Sequence, residues 1–320
     1  MRLDLSGLDE NKDKLETSVR SCYSTWGPRY YEDYYRSSDA YPPVHTEIVR
    51  DLLQTSGVSN VIDAGCGPAS MLRDLIDLNL DLYGFDLTPE MVVEAKRVLS
   101  MRGQSSENIW LGSVLDEAAF SGGPKSGEKY DAGICFGVLP HVPKSADRTV
   151  LENFANVVRP GGLVAIEARN ELFSLFTLNR YSQDFFQERL IRSEYFKDCS
   201  DQEKSVLKQV SSDLSGHFRM DLPPLRKGYE DEPGYDEVLS RTHNPFELKS
   251  LAEEVGLVDV DVLFYHYHAL PPMMEQMVPD LFRRESLAME NPKDWRGYFM
   301  ASAFILVGQV PKQDYVPRNP

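Results

Sequence analysis

Cysteine is scarce: four residues in 320, Cys22, Cys66, Cys135 and Cys199, with no two at CxxC spacing. That leaves no basis for a disulfide framework, a zinc knuckle or a bound metal, and the expectation is reduced, mostly buried thiols. Long apolar runs are also missing. The opening stretch MRLDLSGLDENKDKLE alternates charged with apolar residues, and no later run is long enough to span a bilayer. A cytoplasmic protein with no membrane partner is expected. Basic residues are outnumbered 50 to 34 by acids, a formal net charge of −16. Such a chain repels nucleic acid at long range, because that binding draws most of its affinity from Lys and Arg neutralising phosphates. No nucleic-acid partner is expected, and neither an internal repeat nor a low-complexity tract is visible.

What is present is an apolar content of 42%, enough for the core of one large domain or two ordinary ones. Between residues 44 and 165 helical spacing alternates with short apolar runs, the pattern of parallel β-α-β units and an α/β fold. VHTEIVRDLLQTSG reads as helix, NVIDAG as strand, PASMLRDLIDLN as helix, LDLYGFD as strand and PEMVVEAKRVLSMRG as helix. NIWLGSV and YDAGICFGVL follow as strands, ADRTVLENFANVV as helix, and RPGG as the turn into GLVAIEAR.

Residues 170–242 are charged and aromatic and are broken by Pro223-Pro224 and Pro233-Gly234. They read as a helical insertion, before NPFELKSLAEEVGL restarts a capped helix and VDVDVLFYHYH a strand. A smaller insertion, 269–293, precedes the last strand, YFMASAFILVGQV. The boundaries are thus an N-terminal helical cap over 1–43, a core of 44–169 and 243–310, and the two insertions. The core sheet has seven strands, the last two expected as an antiparallel hairpin.

The stretch VIDAGCGPAS asks what its glycines serve. Glycines after a strand let the backbone approach a ligand, since no Cβ intervenes and positive φ is available. A dinucleotide fingerprint needs a third glycine where this chain has Ser70, and a phosphate-cradling P-loop needs a lysine after Gly67, where Pro68 stands. Both phosphate readings lose ground. Asp86, closing the next strand, can accept both hydroxyls of a ribose. A nucleoside without phosphates is the reading that remains.

With Asp63-Ala-Gly65-Cys-Gly67, YGFDLTPEMVVEAKR, LGSVLD, YDAGICFGVLPHV and RPGGLVAIE in order over residues 44–167, the chain resembles the class I S-adenosylmethionine-dependent methyltransferases. The resemblance implies a Rossmann-like seven-stranded methyltransferase sheet with an N-terminal helical cap and a helical lid insertion, and S-adenosyl-L-methionine as cofactor. It implies that Gly65 and Gly67 pass under the methionine part, that Asp63 orders that loop and that Asp86 holds the ribose with Leu87 beside the adenine. It places Ser113 and Val114 at the adenine edge and Phe136 and Gly137 beneath the cofactor. Two departures stand out: the third glycine of some members is Ala69 here, and the acid often found at the adenine position is Ser113.

Methyl transfer from a sulfonium is an in-line displacement, so alignment and exclusion of water come first, and a base is needed only for a hydroxyl or protonated amine. His141, Glu167, His266 and His268 are the candidate bases. His141 is equally readable as structural, and His266 and His268, sharing one face of a strand, as packing residues. Tyr30, Tyr31, Tyr34 and Tyr35 either offer ring faces to a sulfonium, an ammonium or the substrate, or pin an amphipathic helix to the surface. Arg169, Asn170, Asn179, Arg180 and Tyr181 lie at or beyond a strand's carboxyl end, where an arginine can clamp a substrate carboxylate or merely pair with surface acids.

The chain lacks the [ND]-P-P-[YFW] stretch that grips a planar amino group in relatives methylating adenine or glutamine nitrogens. A small-molecule acceptor, amino-acid-like or carboxylate-bearing, is therefore expected, with at most a second copy of the chain as a homodimer partner. The rival readings are a methyltransferase for protein or RNA and a non-catalytic cofactor-binding module.

Overall fold

Spacing accounts for the helices that frame the first strands. In Val44–Ser56, Val49 and Leu53 stand four apart and are buried with Thr46, so one face docks while the other meets solvent. The helix stops at Gly57, whose φ of +61° returns its N–H to Gln54 O at 3.3 Å. Pro89 opens Pro89–Ser100, which buries Met91, Ala95 and Val98, and Asp147–Val157 buries Val150, Leu151 and Phe154. The computed structural model describes residues 12–24, 29–31, 41–125, 127–191, 199–222 and 238–312. Among these, no helix is long and apolar enough to cross a membrane.

Seven strands form one mixed sheet: β1 (Asn60–Ala64), β2 (Asp81–Asp86), β3 (Ile109–Leu111), β4 (Tyr130–Cys135), β5 (Val158–Arg169), β6 (Val258–Tyr267) and β7 (Ala301–Gln309). Their order is β3-β2-β1-β4-β5-β7-β6. β1 pairs in parallel with both β2 and β4, every residue of it buried, as expected of a central strand covered on both faces. β2–β3 and β4–β5 are also parallel, and β7 runs antiparallel to β5 from Leu163↔Gln309 to Arg169↔Ala303. Successive connections leave β1 in opposite directions, so the carboxyl ends of β1 and β4 part into a crevice, the usual ligand seat of such sheets. Phe85, Phe120 and Phe154 meet edge to face at 4.9 and 5.2 Å in the core, each such burial contributing about 1.5–3 kcal/mol.

Three local expectations are corrected. PASMLRDLIDLN is not one helix: only Ser70–Arg73 is α-helical, followed by a 3-10 turn at Ile76–Leu78. Arg73 folds back on the carbonyls of Pro68 and Ala69, and Arg50 takes the Asp74 carbonyl at 2.5 Å that a continuing helix would use. β4 ends at Cys135 rather than Leu139, because Gly137 (φ +71°) turns the chain into a 3-10 turn at Leu139–His141. RPGG belongs to β5, where the register with β4 jumps from Tyr130↔Val158 to Ala132↔Leu163 and Gly161 sits at φ +76° inside the irregularity.

The chain clusters into two units. The first comprises Met1–Arg169, Leu225–Leu263 and Ala303–Pro320, and the second Asn170–Pro224 and Phe264–Ser302. Within the second, Asn170 is a staple: its Nδ2 donates to Gly297, Tyr298 and Ala301 carbonyls at 2.8–3.1 Å while Oδ1 accepts from Leu172 N at 3.1 Å. Asn179 caps Arg180–Phe185 in a reciprocal box with Ser182, and its Oδ1 also accepts from Thr177.

Candidate active site

The turn after β1 is held by backbone hydrogen bonds to β2. Gly65 (φ +85°) and Gly67 (φ +53°) are both left-handed. A Cβ on Gly65 would lie 2.2 Å from Val138 Cγ2, so no side chain fits, whereas one on Gly67 would meet nothing within 4 Å. Ala69 takes the same hand (φ +60°), at a cost of roughly 1 kcal/mol for a residue with a Cβ. Gly65 N and Cys66 N donate to Phe85 O at 2.8 and 3.0 Å, and Gly67 N donates to Asp86 Oδ2 at 2.8 Å.

Asp86 Oδ1 accepts a further 2.8 Å bond from Thr88 N, so Asp86 organises the loop, the part that the resemblance assigned to Asp63. Asp63 is 2% exposed and its Oδ1 has no hydrogen-bond partner. Burial, with the neighbouring Asp86 charge, pushes its carboxyl up to about 8. Burial also raises Asp86, against the Thr88 and Gly67 amides that favour its ionised form.

These groups line a cleft of about 1020 Å³, its open mouth included. Asp63, Gly65 and Gly67 come from the end of β1, Asp86 and Leu87 from β2, Ser113 and Val114 from beyond β3, and Phe136 and Gly137 from beyond β4. The nine residues named for the cofactor thus share one wall-to-wall space. Leu15, Glu16, Val19 and Tyr23 of the Lys12–Ser24 helix, with Tyr30, form another side. Among the described lining residues there are three carboxyls, Glu16, Asp63 and Asp86, and no lysine or arginine.

His141 also lines the cleft, but both ring nitrogens are engaged. Nδ1 lies 2.7 Å from Leu239 O, which can only accept, so Nδ1 carries the proton; Nε2 then accepts from Tyr23 Oη at 2.8 Å. Burial, the Arg169 charge adding to it, lowers the imidazole to about 4, so it stays neutral. Glu167 accepts a short bond from Gly137 N at the exit of β4. It anchors that turn and is not among the cleft-lining residues.

The other candidates fall elsewhere. Tyr31 lies under the Arg73 guanidinium, 3.5 Å from its ring centroid, so its face is taken by the protein's own cation rather than offered to a ligand. Tyr34 and Tyr35 lie outside the described residues. Arg169 Nη1 donates to Ser240 Oγ. Asn170, 2% exposed and with its amide bonded to four backbone groups, is committed to holding its own unit together. Arg180 and Tyr181 pair with each other, Nη2 to Oη at 3.2 Å, in the second unit. His266 and His268, in the same unit, stack at 5.2 Å and do not reach the cleft lining.

Two groups escaped the sequence reading. Leu15, Glu16, Val19 and Tyr23 form a helical stripe, and their three- and four-residue spacing was the signal available. The Leu239–His243 strap had none. Leu239 O meets His141, Arg241 N and Nε bond the Pro140 and Val142 carbonyls, and Arg241 Nη2 pairs with buried Asp147. His243 Nε2 stands 3.6 Å from Asp147, beyond hydrogen-bond reach.

A glycine turn, an acid closing β2 and a crevice at the parallel strand ends make up a site of the kind in which open α/β sheets hold ligands. Over residues 62–164, about a third of its length, the chain matches the family described as "Methyltransferase domain". It is 32% identical over 136 residues to glycine N-methyltransferase of Mus musculus, covering 39% of this chain and 45% of that one. The Homo sapiens glycine N-methyltransferase is 30% identical over 131 residues, 37% of this chain and 43% of that one. The match therefore spans less than half the length of these curated relatives. A solved magnesium protoporphyrin IX methyltransferase from Synechocystis, with bound SAH, covers 92% of this chain and 99% of that one at 14% identity and a TM-score of 0.47. A likeness that loose carries no argument.

Proposed function

We propose that the protein transfers a methyl group from S-adenosylmethionine to a small, amino-acid-like acceptor. The observation that carries the reading is the lining of the cleft: three acidic side chains, of which Asp63 is kept protonated by burial until a cation approaches, and, among the described lining residues, no lysine or arginine. A dinucleotide or nucleoside triphosphate would bring several negative charges into such a site and be repelled, whereas a nucleoside bearing a sulfonium and an ammonium is attracted.

The residues present fit that cofactor. Gly65 and Gly67 keep the backbone bare against the methionine part, the orphaned Asp63 Oδ1 supplies an acceptor for a cationic group, and Asp86 has lone pairs left for the ribose hydroxyls. The bound cofactor supplies an electrophilic methyl on sulfur, and the chain's work is alignment and exclusion of water. His141 contributes to that alignment: with Nδ1–H committed to Leu239 and Nε2 holding Tyr23, it fixes the cleft wall rather than taking a substrate proton.

The acceptor class is supported by the two curated relatives, both glycine N-methyltransferases, and by the −16 charge, which disfavours RNA. The test is incubation with methyl-labelled S-adenosylmethionine and a panel of amino acids and other small amines, followed by mass spectrometry. Label in a small amine-bearing acid is the expected result; label confined to protein or RNA would overturn the acceptor class. Calorimetry showing no S-adenosylmethionine binding would overturn the whole reading.

A further inference from the structure

We propose that Glu16, on the Lys12–Ser24 helix, is a cofactor-specificity residue whose carboxylate accepts a hydrogen bond from the 6-amino group of the adenine. The proposal rests on the S-adenosylmethionine reading. A ribose held at Asp86, the end of β2, directs its base toward the next strand outward, β3, whose carboxyl end leads into Ser113 and Val114.

The base edge needs an acceptor there for its amino hydrogens. Ser113 has little to give: its hydroxyl proton goes to Glu16 Oε1 at 2.6 Å and its Oγ accepts from Leu115 N at 3.1 Å. Glu16 is the carboxylate brought to that place, and it can only accept. Its other oxygen has a loose 3.7 Å pairing with Arg20, one turn on, leaving lone pairs available. The side chain is 17% exposed on a face whose neighbours Leu15, Val19 and Tyr23 also line the cleft. A carboxylate on the inward stripe of an amphipathic helix is costly unless several donors meet it, and Ser113 is one donor. The 6-amino group of adenine is a second.

The same geometry selects against a 6-oxo base, whose oxygen would face the carboxylate lone pair to lone pair. An acid that the chain lacks at the β3 end is thereby delivered from a distant helix, and base recognition becomes tied to the docking of that helix.

The test is calorimetry on the full chain with two probes, S-adenosylhomocysteine and S-inosylhomocysteine. The wild-type protein should prefer the adenosyl probe by roughly ten- to a hundred-fold, the range of one charge-assisted hydrogen bond. In Glu16→Gln the amide can turn its NH2 to a 6-oxo group, so the preference should fall toward one, with the melting temperature and helical circular dichroism retained. An undiminished preference in Glu16→Gln overturns the assignment and leaves the cofactor reading standing. Failure of the wild-type protein to bind S-adenosylhomocysteine overturns the cofactor reading itself. Ser113→Ala provides a second check should Glu16→Gln not fold: it should keep the preference, and loss there would assign recognition to the serine instead.

Discussion

Each unit holds a pair of neighbouring titratable side chains, buried for the acids and partly buried for the histidines, and the two pairs have different surroundings. Asp63 and Asp86 sit at adjacent strand ends and open on a cleft; His266 and His268 stack on one another, with Phe173 4.7 Å and Phe282 5.5 Å from the His268 ring. Burial favours the neutral form in both, raising Asp63 to about 8 and lowering His266 and His268 to about 4 and 3. Both even contain an atom without a partner, Asp63 Oδ1 and His268 Nδ1. What separates them is the surroundings. Asp63 lines a cleft that a cation can enter, while the His268 ring lies against phenyl rings. A shifted ionisation identifies a binding group when space for a ligand adjoins it, and a packing residue when hydrocarbon does.

The comparison breaks most visibly at Asp86. Asp86→Ala removes the acceptor of the Gly67 and Thr88 amides together with the proposed ribose partner, and S-adenosylmethionine affinity should fall by at least about a hundredfold, near 3 kcal/mol. Calorimetric affinity within a few-fold of wild type would dissolve the distinction drawn for the acid pair.

Asp63→Asn is the next largest effect and concerns stability without ligand. Because the folded carboxyl holds its proton up to about 8 while the unfolded one releases it near 3.8, the unfolded state binds fewer protons in that window and stability falls as pH rises through it. The asparagine removes that loss, so it should stabilise the protein by about 2–3 kcal/mol at pH 8, less than the full shift because a buried site relaxes, and by almost nothing at pH 4. Thermal melts across that range decide it, and an equal effect at both ends would refute the shift.

His268→Phe is the smallest and has the opposite pH sign. With its folded value near 3, the wild-type imidazole stays neutral while the unfolded one takes a proton below about 6.5, so stability is lost as pH falls from 6.5. Replacing it by phenylalanine should cut that loss by up to about 2 kcal/mol at pH 5 and leave methyl-transfer activity in place. A change in cofactor affinity would move the histidine pair from packing to function.

The acid side of this contrast was largely legible in the sequence and the histidine side was not. VIDAGCGPAS and LYGFD carry their chemistry locally: a glycine at positive φ and an acid at a strand end have a geometric consequence wherever the strands pair. The seven-strand sheet was legible for a similar reason, since alternating helical and extended periodicity is a local property. The failures came where a distant residue decides a local outcome. Arg50, 24 residues upstream, claims the carbonyl of Asp74 and ends a helix that periodicity alone would prolong. Asn170 reads as a ligand group by its place after a strand, yet carbonyls near residue 300 consume its amide. FYHYH correctly suggests two histidines on one face, but only packing says that Phe173 and Phe282 close it.

The charge of the cleft also bears on turnover. On the proposed reading, the sulfur arrives as a cation among carboxyls and leaves as a neutral thioether, so the attraction that helps to load the cofactor is partly lost when the methyl departs. A wall of acids with no compensating lysine or arginine among its described residues then acts as a one-way bias, holding the charged donor more firmly than the spent one and easing product release.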